Sequence, residues 1–454
     1  MRKTSKYAYV AGLAAMALCA NLPAAAPPKG GTLTVLYNFN FPPDTLTQDG
    51  TLLMDASGAL YGPTSSGGTY SAGAIFQLSP PASGNDYSEN TLYSFTGGAD
   101  GSEPYQALVF DTKGNLYGSA LYGGTVNAAC PSGCGVVFEL AAPAAAGGAW
   151  TQTVLYSFSG GSDGAYPNGN LVLDANGAIY GTASGGGTIS SVCPTGCGVA
   201  FQLTPPAVSG GAWAHNVLYS FMGTADGAIP GAGLVFDKNG ALYGTTFAGG
   251  KVNATCSVSL GPASCGVVFQ LAPPATLGGA WTQKVIHSFP GGDPGSGPDA
   301  VLVFDPQGNL YGTTLYGGKG KPGQGGGNSG VVFQMKPPTK SISYWQIREY
   351  LLNHTRGNHP YGGLAVDSSG NLYGTALFGG GFFLAKGIVF KLTPPATAKD
   401  TWKETLLHSF TDKSDGGNPV GGILVGPGNI LYGTTCTGGS AQGGTAFEVE
   451  VTTQ

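Results

Sequence analysis

The stretch DKNGALYGTTFAGG, residues 237–250, returns as DPQGNLYGTTLYGG at 305–318 and as DTKGNLYGSALYGG at 111–124. Its Tyr-Gly pair stands at Tyr61, Tyr117, Tyr180, Tyr243, Tyr311, Tyr373 and Tyr432, with gaps of 56, 63, 63, 68, 62 and 59 residues. Seven copies at so steady a spacing identify a repeat architecture, which decides the fold before local propensity is weighed.

One unit, residues 104–158, holds four apolar runs, QALVFD, NLYGSA, GVVFEL and WTQTVLYSF, separated by turn-forming residues. These predict four antiparallel strands. The third run alternates poorly, with Val136 beside Val137, as a strand buried on both faces does. A four-stranded sheet packed between copies of itself is a propeller blade. The chain ends sharpen the reading. Thr32–Phe39 matches a fourth strand and Gly444–Val451 a third, so two incomplete units together make one blade. The prediction is an all-β, seven-bladed β-propeller of four-stranded antiparallel blades, a single domain over residues 32–451. The N-terminal strand joins the last blade and removes an edge open to aggregation.

The recurring pattern GVVFQL…W…VLYSF.GG.DG..P…LVFD..GNLYGTT…GG resembles the Gloeo-Verruco (GloVer) tandem repeat of exported bacterial proteins, across nearly all of Thr32–Val451. The resemblance implies a secreted or surface location. It carries no established activity and no functional residues.

Residues 1–26 read as a secretory signal peptide and short leader. Arg2, Lys3 and Lys6 precede the apolar run YAYVAGLAAMALCA and the small residues NLPAAAPP. The expected product is secreted or periplasmic, not inserted in a membrane, and monomeric. A formal net charge of −5 with only 9% charged residues leaves no electrostatic footprint for nucleic acid or anionic lipid. Three cysteine pairs in the Gly-rich loops are expected as local disulfides, Cys130–Cys134, Cys193–Cys197 and Cys256–Cys265, because export favours oxidation and no His accompanies them. Cys436 stands outside these loops, where other units have Leu or Phe, and reads as a buried thiol outside any bridge.

If LVFD is innermost and VLYSF outermost, one rim carries the D..GN reversals and repeats almost unchanged. The other rim carries the GG.DG..P connections and the Gly-rich loops, holds most of the variation, and is the candidate binding face. Asp55, Asp111, Asp174, Asp237, Asp305 and Asp367 open the D..GN reversals and read as turn residues. The Tyr-Gly pairs and Trp150, Trp213, Trp281, Trp345 and Trp402 read as packing. A second acidic set, Asp44, Asp100, Asp163, Asp226, Asp293 and Asp415, falls four or five residues after the Phe that ends the outer strand. It is an Asp-Gly turn set or a ring of carboxylates facing a hydroxyl-rich ligand. One carboxylate per unit is too few for calcium unless neighbouring units or carbonyls help. Unit six breaks the pattern with LLNHTRGNHP, placing His354, Arg356 and His359 on the same rim, and unit five adds Lys319 and Lys321.

There is no nucleophile elbow with a partner His, no His-Glu-x-x-His and no phosphate loop. No catalytic residue, metal or cofactor is therefore assigned. The leading expectation is a binding or scaffold module for carbohydrate or another cell-surface polymer. A structural or adhesive matrix protein comes second, and an enzyme acting on a polysaccharide or lactone third.

Overall fold

Each repeat folds as an antiparallel sheet in the order inner, second, third, outer, and seven such sheets form the ring. The computed structural model describes residues 30–452 except 41–49, 85, 146, 209, 252–264, 277, 292–294, 319–328, 353–356, 381–385 and 396–400. Blades 1 to 6 span 53–94, 102–157, 165–220, 235–288, 303–351 and 365–409. Blade 7 takes 424–451 and adds Gly31–Asn40 as its outer strand. That strand pairs antiparallel with Gln442–Val451, Gly31 opposite Val451 and Asn40 opposite Gln442, so the ring closes as the chain ends foretell.

The Tyr-Gly glycine has a specific job. In every blade it lies opposite the third-strand Phe, as in Gly118↔Phe138 and Gly244↔Phe269. The Phe ring lies over the place a side chain would fill. A Cβ on Gly118 would sit 2.6 Å from Phe138 Cζ and 2.8 Å from Leu108 Cδ2. The bare backbone thus lets a large ring cover the sheet, a known rescue of strand glycine.

The same Phe receives the neighbouring blade. Phe95, which follows the outer strand of blade 1, meets Phe138 of blade 2 edge-on at 5.1 Å, and Phe158–Phe201 and Phe221–Phe269 repeat the contact. Phe39 from the N-terminal strand meets Phe76 of blade 1 at 5.3 Å, carrying the pattern across the closure. Each such Phe is almost fully buried. Full burial of one is worth about 1.5–3 kcal/mol, with about 1 kcal/mol more from the edge-to-face geometry.

Toward the rim of the D..GN reversals the joint is polar. Asp111 Oδ1 accepts from the amides of Lys113 (2.7 Å) and Asn115 (2.9 Å), closing the turn. The Tyr of Tyr-Gly reaches back to the same carboxylate, as in Tyr311 to Asp305 at 2.9 Å, and receives the third-strand Gln334 at 2.7 Å. Asp, Tyr and Gln form this relay in blades 1, 3, 4 and 5. The tryptophan of the next blade packs edge-on against that Tyr, Tyr117–Trp213 at 6.4 Å and Tyr243–Trp345 at 5.8 Å. The tryptophans are inter-blade packing, as their repetition suggests.

Candidate functional site

Five residues before the inner strand, on the variable rim, six blades carry a proline, Pro104, Pro167, Pro230, Pro298, Pro360 and Pro419. The residue before it has a left-handed backbone each time. Glu103, Tyr166, Ile229, His359 and Asn418 have φ between 53° and 59°, and Gly297 has 63°. Side-chained residues adopt this conformation only where their surroundings enforce it. Here both peptide groups are fixed. The amides of Tyr166, Ile229 and Gly297 donate to the carbonyls of Cys134, Cys197 and Cys265 of the preceding blade, at 2.8, 2.9 and 3.0 Å. The carbonyls of Ile229, Gly297, His359 and Asn418 accept from Phe247, Leu315, Leu377 and Cys436 of their own blades.

The residue after the proline completes a second set, Tyr105, Asn168, Gly231, Asp299, Tyr361 and Val420. These converge on the ring axis. The hydroxyls of Tyr105 in blade 2 and Tyr361 in blade 6 meet at 3.3 Å, although 256 residues separate them. Asn168 and Asp299 flank Gly231. A Cβ there would lie 2.5 Å from Asp299 Oδ1 and 3.7 Å from Asn168 Nδ2. Asn168 Oδ1 is buried without a hydrogen-bond partner. Asp299 is half-buried and surrounded by protein, and burial pushes its carboxyl up to about 7.

Aromatic rings frame this mouth. Tyr166 meets Tyr122 edge-on at 5.7 Å, and His359 lies between Tyr316 (5.8 Å) and Phe378 (5.7 Å). Phe247 and Tyr316 both border Gly297. The backbone is thus common to these six blades, while the side chains before the proline all differ and those after it repeat only at Tyr105 and Tyr361. What the arrangement can do chemically is present flat apolar faces beside a few amide, phenol and carboxyl groups on a rigid support.

Of the residues singled out in the sequence, His359 stands at this mouth. Asp100, Asp163, Asp226 and Asp415 lie on the same rim but turn toward their own outer strands. Tyr93, Tyr156 and Tyr219 donate to the first three at 2.9, 3.0 and 3.0 Å, and His408 Nε2 lies 3.1 Å from Asp415. Each also accepts the amide two residues beyond the outer strand, from Thr96, Ser159, Met222 or Thr411. Burial pushes the carboxyls of Asp100, Asp163 and Asp415 upward. Hydrogen bonds from Thr96, Ser159, His408 and Thr411 outweigh it and hold them below the usual range. Asp44, Asp293, His354, Arg356, Lys319, Lys321 and residues 1–26 lie outside the described residues. Among the described residues no cluster of three or more His, Cys, Asp or Glu is placed to hold a metal ion.

Cys130–Cys134 and Cys193–Cys197 are bridged, with Cα atoms 5.1 and 5.4 Å apart. Cys265 is also disulfide-bonded, and Cys256, its expected partner, lies outside the described residues. Cys436 forms no disulfide and is half-buried rather than buried, because it stands where the second strand leaves the sheet. The first two bridges rest on Gly160 and Gly223 of the loop leaving the same blade, whose added Cβ atoms would fall within 3 Å of the sulfurs. Each bridge therefore ties two rim loops together, and its second cysteine holds the mouth residue of the next blade.

Fold and mouth together define a closed tandem-repeat β-propeller whose mouth shares one backbone while its side chains vary from blade to blade. The chain belongs to the Gloeobacter/Verrucomicrobia repeat family, whose model matches residues 25–258 and 196–447. No curated protein matches it. Among solved structures it is similar to a putative 6-phosphogluconolactonase from Bacteroides uniformis, at 14% identity over 83% of this chain and 88% of that one, TM-score 0.49. A fungal alcohol oxidase of the AA5 family matches at 12% identity over 93% and 76%, TM-score 0.48. A Trichoderma reesei carbohydrate-active protein of family AA12 matches at 12% over 96% and 100%, TM-score 0.40. Likeness at this level concerns the fold alone.

Proposed function

We propose that this protein is an exported binding module that recognises carbohydrate, or another hydroxyl-rich cell-surface polymer, at the axial mouth of its variable rim. One observation carries the reading: the side chains that break the repeat gather where the backbone does not change. Sugar rings present apolar faces and hydroxyls together, which suits Tyr122, Tyr166, Tyr316 and Phe378 beside Asn168, Asp299 and Tyr361. His359 contributes from the mouth. His354 and Arg356, just before it in sequence, are proposed to join it. The turns built on Asp100, Asp163, Asp226 and Asp415 frame the mouth, and Asp293 is assigned to the same set by sequence. Export is supported by the N-terminal residue order and by the local disulfides, which persist in oxidising compartments.

A second reading, hydrolysis of the bound saccharide, draws on Asp299, a carboxyl pushed by burial to about 7, and on Glu103, which burial also pushes up. Glycoside hydrolysis needs two carboxyls set across one glycosidic bond; the aromatic and amide groups around them favour binding.

A glycan-binding screen on the mature protein tests the proposal, with Tyr166→Ala and His359→Ala compared with Asp237→Asn on the other rim. The mouth variants should weaken the best ligand about tenfold or more, as truncation of a central aromatic contact does. Asp237→Asn should leave affinity unchanged. Binding that survives both mouth variants, or that vanishes in a folded Asp237→Asn protein, places the ligand elsewhere.

A further inference from the structure

The rim opposite the mouth varies less than the mouth does, and one of its joints gathers two cations. Between blades 5 and 6 lies a cleft of about 170 Å³, lined by Asp305, Asn309, Gln334, Lys336 and Arg348 from blade 5 and by Ser369, Gly370, Pro394 and Pro395 from blade 6. Lys336 has no cationic counterpart in the other blades, and Arg348 has one, Lys284 of blade 4. The place of Lys336 is taken by Ser79, Ala141, Thr204, Ala272 and Thr393 in five blades and by Glu450 in the seventh. Arg348 stands where Asn90, Thr153, Asn216, Lys284 and Thr405 stand in blades 1, 2, 3, 4 and 6. The whole chain has three arginines, so placing one beside an added lysine concentrates a scarce charge.

Register brings the two together. Lys336 pairs with Gln346 and Gln334 with Arg348, so Lys336 and Arg348 are diagonal neighbours on one face of the sheet. Neither has an ion-pair partner among the described residues. Asp305, the carboxylate of the cleft, is buried and already accepts four hydrogen bonds, from the amides of Gln307 and Asn309, from Asn309 Nδ2 and from Tyr311. It is engaged in its turn, and the two cations line the cleft against this one occupied carboxylate.

We infer that this cleft is a second binding site, for an oxyanion (carboxylate or sulfate) no larger than one acidic sugar carries. The cleft is small and open to solvent on one side, sized for a charged group rather than for a whole oligosaccharide. The guanidinium offers a planar fork and the ammonium a compact charge, the pairing that recognises such groups. The site is independent of the axial mouth and lies on the other rim.

The test is calorimetric titration of the mature protein with sodium sulfate and with glucuronate, using glucose as the neutral control. A double variant, Lys336→Ala with Arg348→Thr, restores residues that other blades carry, so the fold should tolerate it; an unchanged melting temperature checks this. Wild-type protein should bind at least one anion with a dissociation constant of about 1 mM, weakening as sodium chloride is added. The double variant should lose tenfold or more, whereas Lys284→Thr, the same exchange at the matching position of blade 4, should change affinity less than twofold. Sulfate alone binding identifies a tetrahedral-anion site, and glucuronate alone a carboxylate site. The inference is overturned if neither anion binds at about 10 mM, or if the double variant changes anion affinity less than twofold.

Discussion

Replacing Asp299 by Asn should stabilise the protein in a way that depends on pH. Unfolded, this carboxyl releases its proton near its ordinary 3.8; folded, burial raises that point to about 7. Between those values the native state binds the proton more tightly than the unfolded state does. The group's contribution to stability therefore falls as pH rises through the window, and the loss is complete above about 7. The gap of about three pH units corresponds to a ceiling of about 4 kcal/mol at pH 8. Asp299 is half-buried beside the axis, so screening by water reduces this to about 2 kcal/mol. Asparagine keeps the shape and never ionises. For a ring of this size, with an unfolding entropy of about 0.9 kcal/mol per kelvin, the gain is about 2–4 °C in melting temperature. Thermal unfolding of both proteins from pH 4 to 8.5 is the assay. The difference should be smallest at pH 4, grow between 4 and 7, and level off beyond. A difference that is constant with pH, or largest at acid pH, refutes the reasoning.

Two other outcomes are expected. Gly118→Ala forces a methyl against Phe138 and Leu108 and should cost about 1–3 kcal/mol, read as a lower denaturant midpoint; an unchanged midpoint would show the ring free to move aside. Reducing Cys130–Cys134 and Cys193–Cys197 removes about 2 kcal/mol per bridge by chain entropy and should leave the ring folded by circular dichroism. It should nevertheless weaken ligand binding at the mouth, because Cys134 and Cys197 hold Tyr166 and Ile229. Binding insensitive to reduction would separate the bridges from the site.

The architecture was legible because it rests on local, repeated signals. Tyr-Gly counts the blades, and the mismatched ends, Thr32–Phe39 and Gly444–Val451, announce the closure. Cysteine spacing gave the two bridges described. Side-chain partnership was less legible. The Tyr of Tyr-Gly reads as plain core, yet its hydroxyl joins Asp and Gln across three strands, a register that one unit's sequence does not display. Asp100 and its counterparts are ambiguous between turn and ligand, and only the position of Tyr93 or Tyr156 seven residues earlier shows where the carboxylate points. The mouth escaped notice because its residues look like drift when units are read singly. Aligning the units on Pro104, Pro167, Pro230, Pro298, Pro360 and Pro419 would have exposed it, since the flanking positions alone almost never repeat.

The contact between Tyr105 and Tyr361 has a mechanical meaning. It is a chord drawn across the ring, joining blades that share no edge and leaving two blades on one side and three on the other. The centre of the molecule is therefore lopsided, with Asn168, Gly231 and Asp299 all bordering the larger segment. The two phenols close the axis between blades 2 and 6 at this level, so a saccharide bound at the mouth as proposed would meet them end-on and present a terminus or a branch.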